Sequence, residues 1–182
     1  YATMLAAQSL GAIPIPMYQD ANAAEYVFPV NNAQVKFAFA EDQEQVDKVL
    51  PLMSRHSGLH TVVWWESGGL WSYRQDGLLG WDAFKAPARP LNAEDAAWFE
   101  QGISQGKSQD IALLLYTSGT TGSPKGVMVT HDGILRTGYS SALTRAFEDG
   151  RRVLFSLPCY HMFGLVEGLL AVMFVGGAIL PR

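Results

Sequence analysis

The sequence Tyr116-Thr117-Ser118-Gly119-Thr120-Thr121-Gly122-Ser123-Pro124-Lys125-Gly126 lies between two apolar runs. Residues 111–115 (Ile-Ala-Leu-Leu-Leu) precede it and residues 127–129 (Val-Met-Val) follow it. Short apolar runs on both sides of a cluster of glycine, serine and threonine are typical of two strands joined by a loop. The order of these residues therefore predicts a strand, a loop and a second strand.

The residue types in this loop suit the binding of phosphate groups. Glycine leaves room for a close ligand and lets successive backbone N–H groups converge on an anion. Threonine and serine hydroxyls add hydrogen-bond donors, and their oxygens can also contact magnesium. Lys125 adds a compact positive charge, and Pro124 restricts the turn that presents it. The loop therefore predicts a nucleotide triphosphate as substrate.

The spacing of the loop differs from that of a Walker P-loop, which requires Gly-x-x-x-x-Gly-Lys-Ser/Thr. Gly119 and Gly122 are too close together, and Lys125 follows a proline and precedes a glycine. A flexible serine- and glycine-rich linker is the other interpretation. The strand signals on both sides of the segment argue against a linker.

Two ordered motifs resemble the adenylate-forming superfamily, which includes acyl-CoA synthetases, firefly luciferase and the adenylation domains of peptide synthetases. The loop at residues 116–126 resembles the family's signature loop, and Val129-Thr130-His131 resembles the segment that follows it. Residues 157–164, Leu-Pro-Cys-Tyr-His-Met-Phe-Gly, resemble the family's next motif. Residues 11–18 resemble a conserved strand entry of the family, and residues 40–49 and 81–84 resemble long-chain fatty acyl-CoA synthetases.

The resemblance implies an α/β fold, namely part of the N-terminal domain of adenylate-forming enzymes, with largely parallel sheets flanked by helices. Residues 1–182 would all belong to this AMP-binding domain, and the family's C-terminal, lysine-bearing domain is absent from the sequence. Residues 102–109 (Gly-Ile-Ser-Gln-Gly-Lys-Ser-Gln) are rich in small and polar residues. They form either a boundary between two halves of the domain or an ordinary surface loop, and the loop is the more common case.

The activity that the resemblance implies is ATP-dependent activation of a long-chain fatty acid, first to an acyl-adenylate and then to acyl-CoA. ATP, Mg²⁺ and coenzyme A would then be required, with coenzyme A as a co-substrate. Two alternatives stay open. One is another adenylate-forming ligase with an aryl acid, amino acid or luciferin-like substrate. The other is a non-catalytic nucleotide-binding module.

The resemblance also assigns roles to individual residues. The expected ATP phosphate contacts are Thr117, Ser118, Gly119, Thr120, Thr121, Gly122 and Lys125, with Thr117 or Thr120 as the Mg²⁺ contact. His161 and Gly164 would border the acid substrate, although a histidine at a helix start can equally be a structural cap. The family's later motifs, which include a ribose-binding aspartate and a catalytic lysine, are not in this sequence. We therefore expect no complete catalytic set here, and no turnover by these residues alone.

Composition excludes some functions and leaves others open. A net charge of −4 without a basic cluster gives no support to nucleic-acid binding. A single cysteine, Cys159, excludes an internal disulfide and agrees with a cytoplasmic location; it is expected to be an inert thiol. The apolar stretch at residues 163–180 is expected to be a buried helix and a strand, because Glu167 and Gly176-Gly177 interrupt it. The aromatic residues Trp64, Trp65, Trp71, Tyr73 and Trp81 would either pack internally, the more common case, or contact a membrane surface peripherally.

Hydrophobic periodicity and turn signals predict alternating helices and strands. The predicted helices cover residues 2–10, 22–31 with Asp20 as N-cap, 43–55, 81–85, 93–105 with Asn92 as N-cap, 132–147 and 161–175. The predicted strands cover residues 12–17, 35–40, 61–65, 111–115, 127–129, 153–156 and 178–180, with residues 70–76 pairing nearby.

Overall fold

The computed structural model describes residues 2–55, 58–117 and 124–181. The chain divides into two compact units, of which one is Met17–Leu91 and the other combines Tyr1–Pro16 with Asn92–Arg182. The boundary predicted near residues 102–109 lies inside the second of these units, where the residues form the end of a helix and the turn after it.

The unit at Met17–Leu91 is a parallel sheet with helices. Its elements are α2 (Ala23–Asn32), β1 (Phe37–Ala40), α3 (Gln43–Arg55), β2 (Thr61–Trp64), β3 (Leu78–Gly80) and α4 (Trp81–Lys85). The strand order is β1-β2-β3, and both pairings are parallel. The central strand β2 buries Val62 and Val63 completely, as expected for a parallel strand covered on both faces.

Helix α3 contributes side chains to the core of this unit, because its apolar residues recur at helical spacing. Val46 and Leu52 are buried, and they belong to two neighbouring clusters of side chains. One cluster contains Tyr26 from α2, and the other contains Val62 from the sheet. The helix therefore joins α2 to the sheet through apolar burial.

The second unit contains α1 (Ala2–Ser9), α5 (Ala93–Gln105), β4 (Ile111–Thr117), β5 (Lys125–Thr130), α6 (His131–Thr144), β6 (Arg152–Phe155), a π-helix (Phe163–Leu170), α7 (Ala171–Phe174) and β7 (Ala178–Pro181). Strands β4 and β5 are antiparallel, whereas β6 and β7 are parallel. Its core cluster consists of Ala112, Leu113, Ile134, Leu165, Val166 and Leu169.

The α/β fold class and most of the predicted elements are confirmed, but the strands predicted at residues 12–17 and 70–76 are wrong. Residues 12–17 form no strand, since Pro14 and Pro16 have no N–H to donate; the Pro14 carbonyl instead accepts a single bond from the Leu114 N–H at 3.1 Å. Residues 70–76 form turns, and the third strand is Leu78–Gly80. The helix predicted at residues 161–175 is confirmed over residues 163–174, and its turns at Phe163–Leu170 are π-helical.

Two glycines explain how the π-helix lies so close to its neighbours. A Cβ on Gly164 would lie 2.2 Å from the Pro158 carbonyl oxygen, and one on Gly168 would lie 2.0 Å from Cε2 of Phe155. Any larger residue would push the helix away from β6 and from the turn that follows it. No helix among the described residues is long and apolar enough to cross a membrane.

The predicted aromatic surface is only partly exposed. Trp65 and Trp71 are exposed, whereas Trp64, Tyr73 and Trp81 are half-buried. Trp81 stacks on Phe84 with 5.9 Å between the ring centroids. Packing therefore accounts for part of this aromatic set, and peripheral membrane contact stays a prediction.

The N-cap of α2 is Asn22. The sequence pattern predicted Asp20 as the N-cap, and that prediction is wrong. The Asn22 side chain accepts hydrogen bonds from the Ala24 and Glu25 N–H groups, and the Glu25 carboxylate accepts one from the Asn22 N–H. This reciprocal arrangement is a capping box. Asp20 and Asn22 are equally good caps by residue type. Only the position at which the helix starts distinguishes them.

We predict that Asn22→Ala lowers the free energy of unfolding by about 1 kcal/mol, because two helix N–H groups lose their acceptor. Asp20→Ala is the matched control and is expected to stay within about 0.5 kcal/mol of the wild type. Urea unfolding of the three proteins would check this. Equal losses in both variants would contradict the assignment of the cap.

Candidate functional site

The hairpin β4–β5 presents the two ends of the predicted phosphate loop side by side. Its antiparallel register pairs Leu115 with Val127, and its last pair is Thr117 with Lys125. Both residues of this last pair are exposed. A threonine hydroxyl and a lysine ammonium therefore flank the mouth of the loop. The other predicted contacts, Ser118, Gly119, Thr120, Thr121 and Gly122, lie outside the described residues.

A glycine and a tyrosine shape the strand ends below this pair. A Cβ on Gly126 would lie 3.2 Å from Leu114 Cδ1 and 3.4 Å from the Tyr116 ring, so the ring lies close to the glycine backbone. Tyr116 is 8% exposed, and burial raises the pKa of its phenol. The phenol is therefore neutral at pH 7, and it packs the hairpin rather than adding a negative charge near the loop.

Helix α6 begins directly after β5 and fixes the end of the hairpin. The Thr130 hydroxyl accepts a hydrogen bond from the Gly133 N–H at 3.2 Å, which caps the helix. The His131 N–H donates to the Asp110 carbonyl at 3.1 Å, and the Asp132 N–H donates to the Ser108 carbonyl at 2.8 Å. The turn before β4 is thereby tied to the helix after β5.

His161 lies at the start of the π-helix with its side chain exposed. Its Nδ1 accepts a hydrogen bond from the Phe163 N–H at 3.2 Å. An accepting Nδ1 carries a lone pair, so the proton of the neutral ring is on Nε2. This bond holds the imidazole in a defined orientation beside the first residue of the π-helix, whose N-cap residue is Met162. It leaves Nε2 available for contact with a substrate.

Gly164, the other predicted substrate contact, is buried against backbone. Its Cα faces the carbonyls of Leu157 and Pro158, and a Cβ would come within 3.1 Å of both carbonyl oxygens. The observed role of Gly164 is thus to let the π-helix approach the preceding turn. Its role as a substrate contact stays a prediction.

Glu167 has a partner within the protein. Its carboxylate forms an ion pair with Arg145, which also donates to the buried Ser141 hydroxyl. No sequence signal identified this cluster, because Arg145 and Glu167 are 22 positions apart. The sequence shows only that Ser141 lies four positions before Arg145, the residue that follows α6.

The β4–β5 hairpin and the segment that begins at His161 share one core. Leu113 of β4 and Ile134 of α6 belong to the same buried cluster as Leu165 and Val166 of the π-helix. Cys159 packs against this cluster and is half-buried, and its inertness stays a prediction. Within the described residues, no group of three or more His, Cys, Asp or Glu side chains could hold a metal ion.

The AMP-binding enzyme family matches residues 1–181. The chain belongs to this family. The superfamily resemblance of the loop and of residues 157–164 is thereby confirmed, together with the expected class of N-terminal domain.

The proteins that this chain resembles are named for different acid substrates. A human long-chain-fatty-acid–CoA ligase, ACSBG2, is 29% identical over 89% of this chain and 24% of its own length. A sulfoacetate–CoA ligase from Cupriavidus necator is 42% identical over 54% of this chain and 18% of its own. The crystal structure of the anthranilate CoA ligase AuaEII in complex with anthranoyl-AMP has a TM-score of 0.79 at 21% identity, covering 98% of this chain and 32% of that one. The chain thus spans about a quarter of the length of such relatives.

We predict that Gly164→Ala destabilises the chain by about 1–3 kcal/mol, because the new methyl group meets backbone oxygens that cannot move independently. Gly102→Ala is the matched control, since a Cβ there meets nothing within 4 Å and the residue lies in exposed α5. The control is expected to gain up to about 1 kcal/mol. Urea unfolding measures both, and unchanged stability in Gly164→Ala would contradict the close approach.

Proposed function

We propose that the full polypeptide containing this chain is an AMP-forming acid–thiol ligase that activates a long-chain fatty acid. The observation that carries the proposal is the pairing of Thr117 with Lys125 at the end of the β4–β5 hairpin. Family membership over residues 1–181 supports it. The name of the human relative supports the choice of a long-chain fatty acid.

In the first half-reaction, a carboxylate oxygen of the fatty acid attacks the α-phosphorus of ATP. The bond to the bridging oxygen breaks, pyrophosphate leaves, and an acyl-adenylate forms. The loop at residues 117–125 binds the β- and γ-phosphates and therefore the departing pyrophosphate. Lys125 neutralises part of the negative charge that collects there, and the loop N–H groups hold the phosphates in line.

Mg²⁺ fits this site as a partner of ATP. Thr117 offers an exposed hydroxyl oxygen at the end of β4, and Thr120 is the alternative contact in the loop. One threonine oxygen does not hold the ion alone, but Mg²⁺ commonly keeps several waters and takes further ligands from substrate phosphates. The ion supplies charge neutralisation on the phosphate oxygens.

In the second half-reaction, the thiol of coenzyme A attacks the acyl carbonyl carbon. A thioester forms, the bond to the phosphate oxygen breaks, and AMP leaves. His161 and Gly164 border the acid in this proposal, since the imidazole is exposed and oriented by its bond to the Phe163 N–H. Residues outside this sequence supply the adenine and ribose contacts and complete the catalytic set. The chain by itself therefore binds nucleotide weakly at most and does not turn over.

A second candidate is a ligase for a shorter or aromatic acid. The sulfoacetate ligase has the higher identity, although over only 98 residues, and the anthranilate ligase has a similar fold. The two candidates share the first half-reaction and differ only in the acid.

We predict that Lys125→Ala raises the KM for ATP in the full polypeptide by about 10- to 100-fold, because a charge-assisted contact worth about 1.5–3 kcal/mol is lost. The readout is ATP–pyrophosphate exchange, with calorimetric titration of pyrophosphate as a binding measurement. Lys107→Ala is the matched control, since this lysine lies in the turn before β4 and not in the loop. Unchanged affinity in Lys125→Ala would refute the loop assignment.

We predict that fatty acids of 12 to 18 carbons support faster pyrophosphate exchange than octanoate, anthranilate or sulfoacetate at equal concentration. Fatty acids of about this length are called long-chain. Each additional buried methylene contributes about 0.8 kcal/mol of binding free energy. Exchange with anthranilate or sulfoacetate but not with fatty acids would replace the first candidate with the second.

A further inference from the structure

The π-helix Phe163–Leu170 needs a stabilising cause. Such geometry is rare and occurs frequently at functional sites. Gly164 and Gly168 permit the helix to approach its neighbours, and Leu165 and Val166 pack it into one core cluster with Ile134 of α6. Apolar packing is non-directional, so a polar contact is needed in addition to define the position of the helix along α6.

Arg145 makes that contact. It follows the last residue of α6, and its side chain reaches the Ser141 hydroxyl on its own helix and the Glu167 carboxylate in the middle of the π-helix. Its guanidinium carbon also lies 6.0 Å from the centroid of the Phe163 ring, at the first residue of the π-helix. One side chain therefore holds the start and the middle of the π-helix against α6.

Phe163, which Arg145 contacts, is in turn hydrogen-bonded to His161. The Phe163 N–H is the donor that orients the His161 ring through Nδ1. A shift of the π-helix would displace this donor and release the imidazole. Arg145 and Glu167 do not touch the ring themselves, so their effect on it passes through Phe163.

We propose that Arg145 and Glu167 are a positioning pair that fixes the π-helix and, through it, sets His161 for the acid substrate. This inference rests on the proposed function of His161. The two side chains are 36% and 33% exposed, so the pair is partly buried and salt screens it less than a fully exposed pair. It connects α6, which begins at the β4–β5 hairpin, with the segment that begins at His161.

The test uses the full natural polypeptide. Glu167→Gln and Arg145→Met remove the charges at similar size, and the double variant Arg145→Glu/Glu167→Arg restores an ion pair in the opposite sense. Arg136→Met is the matched control, because Arg136 pairs with Asp132 on the same helix and that pair lies within α6. The single variants are expected to raise the KM for the acid at least fivefold and to change the KM for ATP less than twofold. The double variant is expected to recover at least half of the loss on a logarithmic scale.

Hydrogen–deuterium exchange gives a readout that does not depend on activity. Amides at residues 163–166 are expected to exchange at least tenfold faster in Glu167→Gln and to stay unchanged in Arg136→Met. Unchanged exchange, a KM for the acid within twofold of wild type in either single variant, or an equal rise in both KM values would overturn the proposal. If the wild-type protein activates no carboxylic acid, the proposed function fails, and the exchange result still decides whether the pair positions the segment.

Discussion

The antiparallel pairing of β4 with β5 is the constraint on which the candidate site depends. Their register places Thr117 opposite Lys125, so the chain enters and leaves the loop at adjacent points. Paired residues across antiparallel strands have Cβ atoms about 4.5–5.5 Å apart. Strand pairing thus fixes the two points at which the chain enters and leaves the loop.

Local patterns predicted the elements whose signals lie within a few residues. The short helix Trp81–Lys85 has its predicted bounds, and the capping box formed by Asn92 and Asp95 begins α5 as the spacing indicated. The failures involve contacts distant in sequence. Pro14 is bound to Leu114, a hundred positions away, and β3 pairs with β2 after an intervening turn region. Propensity carries no information about such partners.

The candidate site was predictable to the same extent. The loop composition indicated Lys125 and Thr117 as phosphate contacts, and the structure places them as neighbours across the hairpin. The role of His161, an exposed imidazole whose Nδ1 accepts a hydrogen bond from the Phe163 N–H, could not be decided from sequence, because a histidine at a helix start allows both interpretations. The ion pair of Arg145 could not be predicted, since its carboxylate partner is 22 positions away and no local pattern connects the two residues.

The shared core explains why the two parts of the site need not touch to act together. Leu113 below the hairpin and Val166 of the π-helix are fully buried in one cluster. Closely packed protein interiors transmit strain, so a shift of the π-helix would also displace side chains of β4. On β5, Val129 packs against the same cluster, whereas Val127 and Met128, nearer the loop, are 45% and 68% exposed. Apolar burial therefore extends to Tyr116 on β4 but only to Val129 on β5, so the two strands that lead to Thr117 and Lys125 are supported unequally.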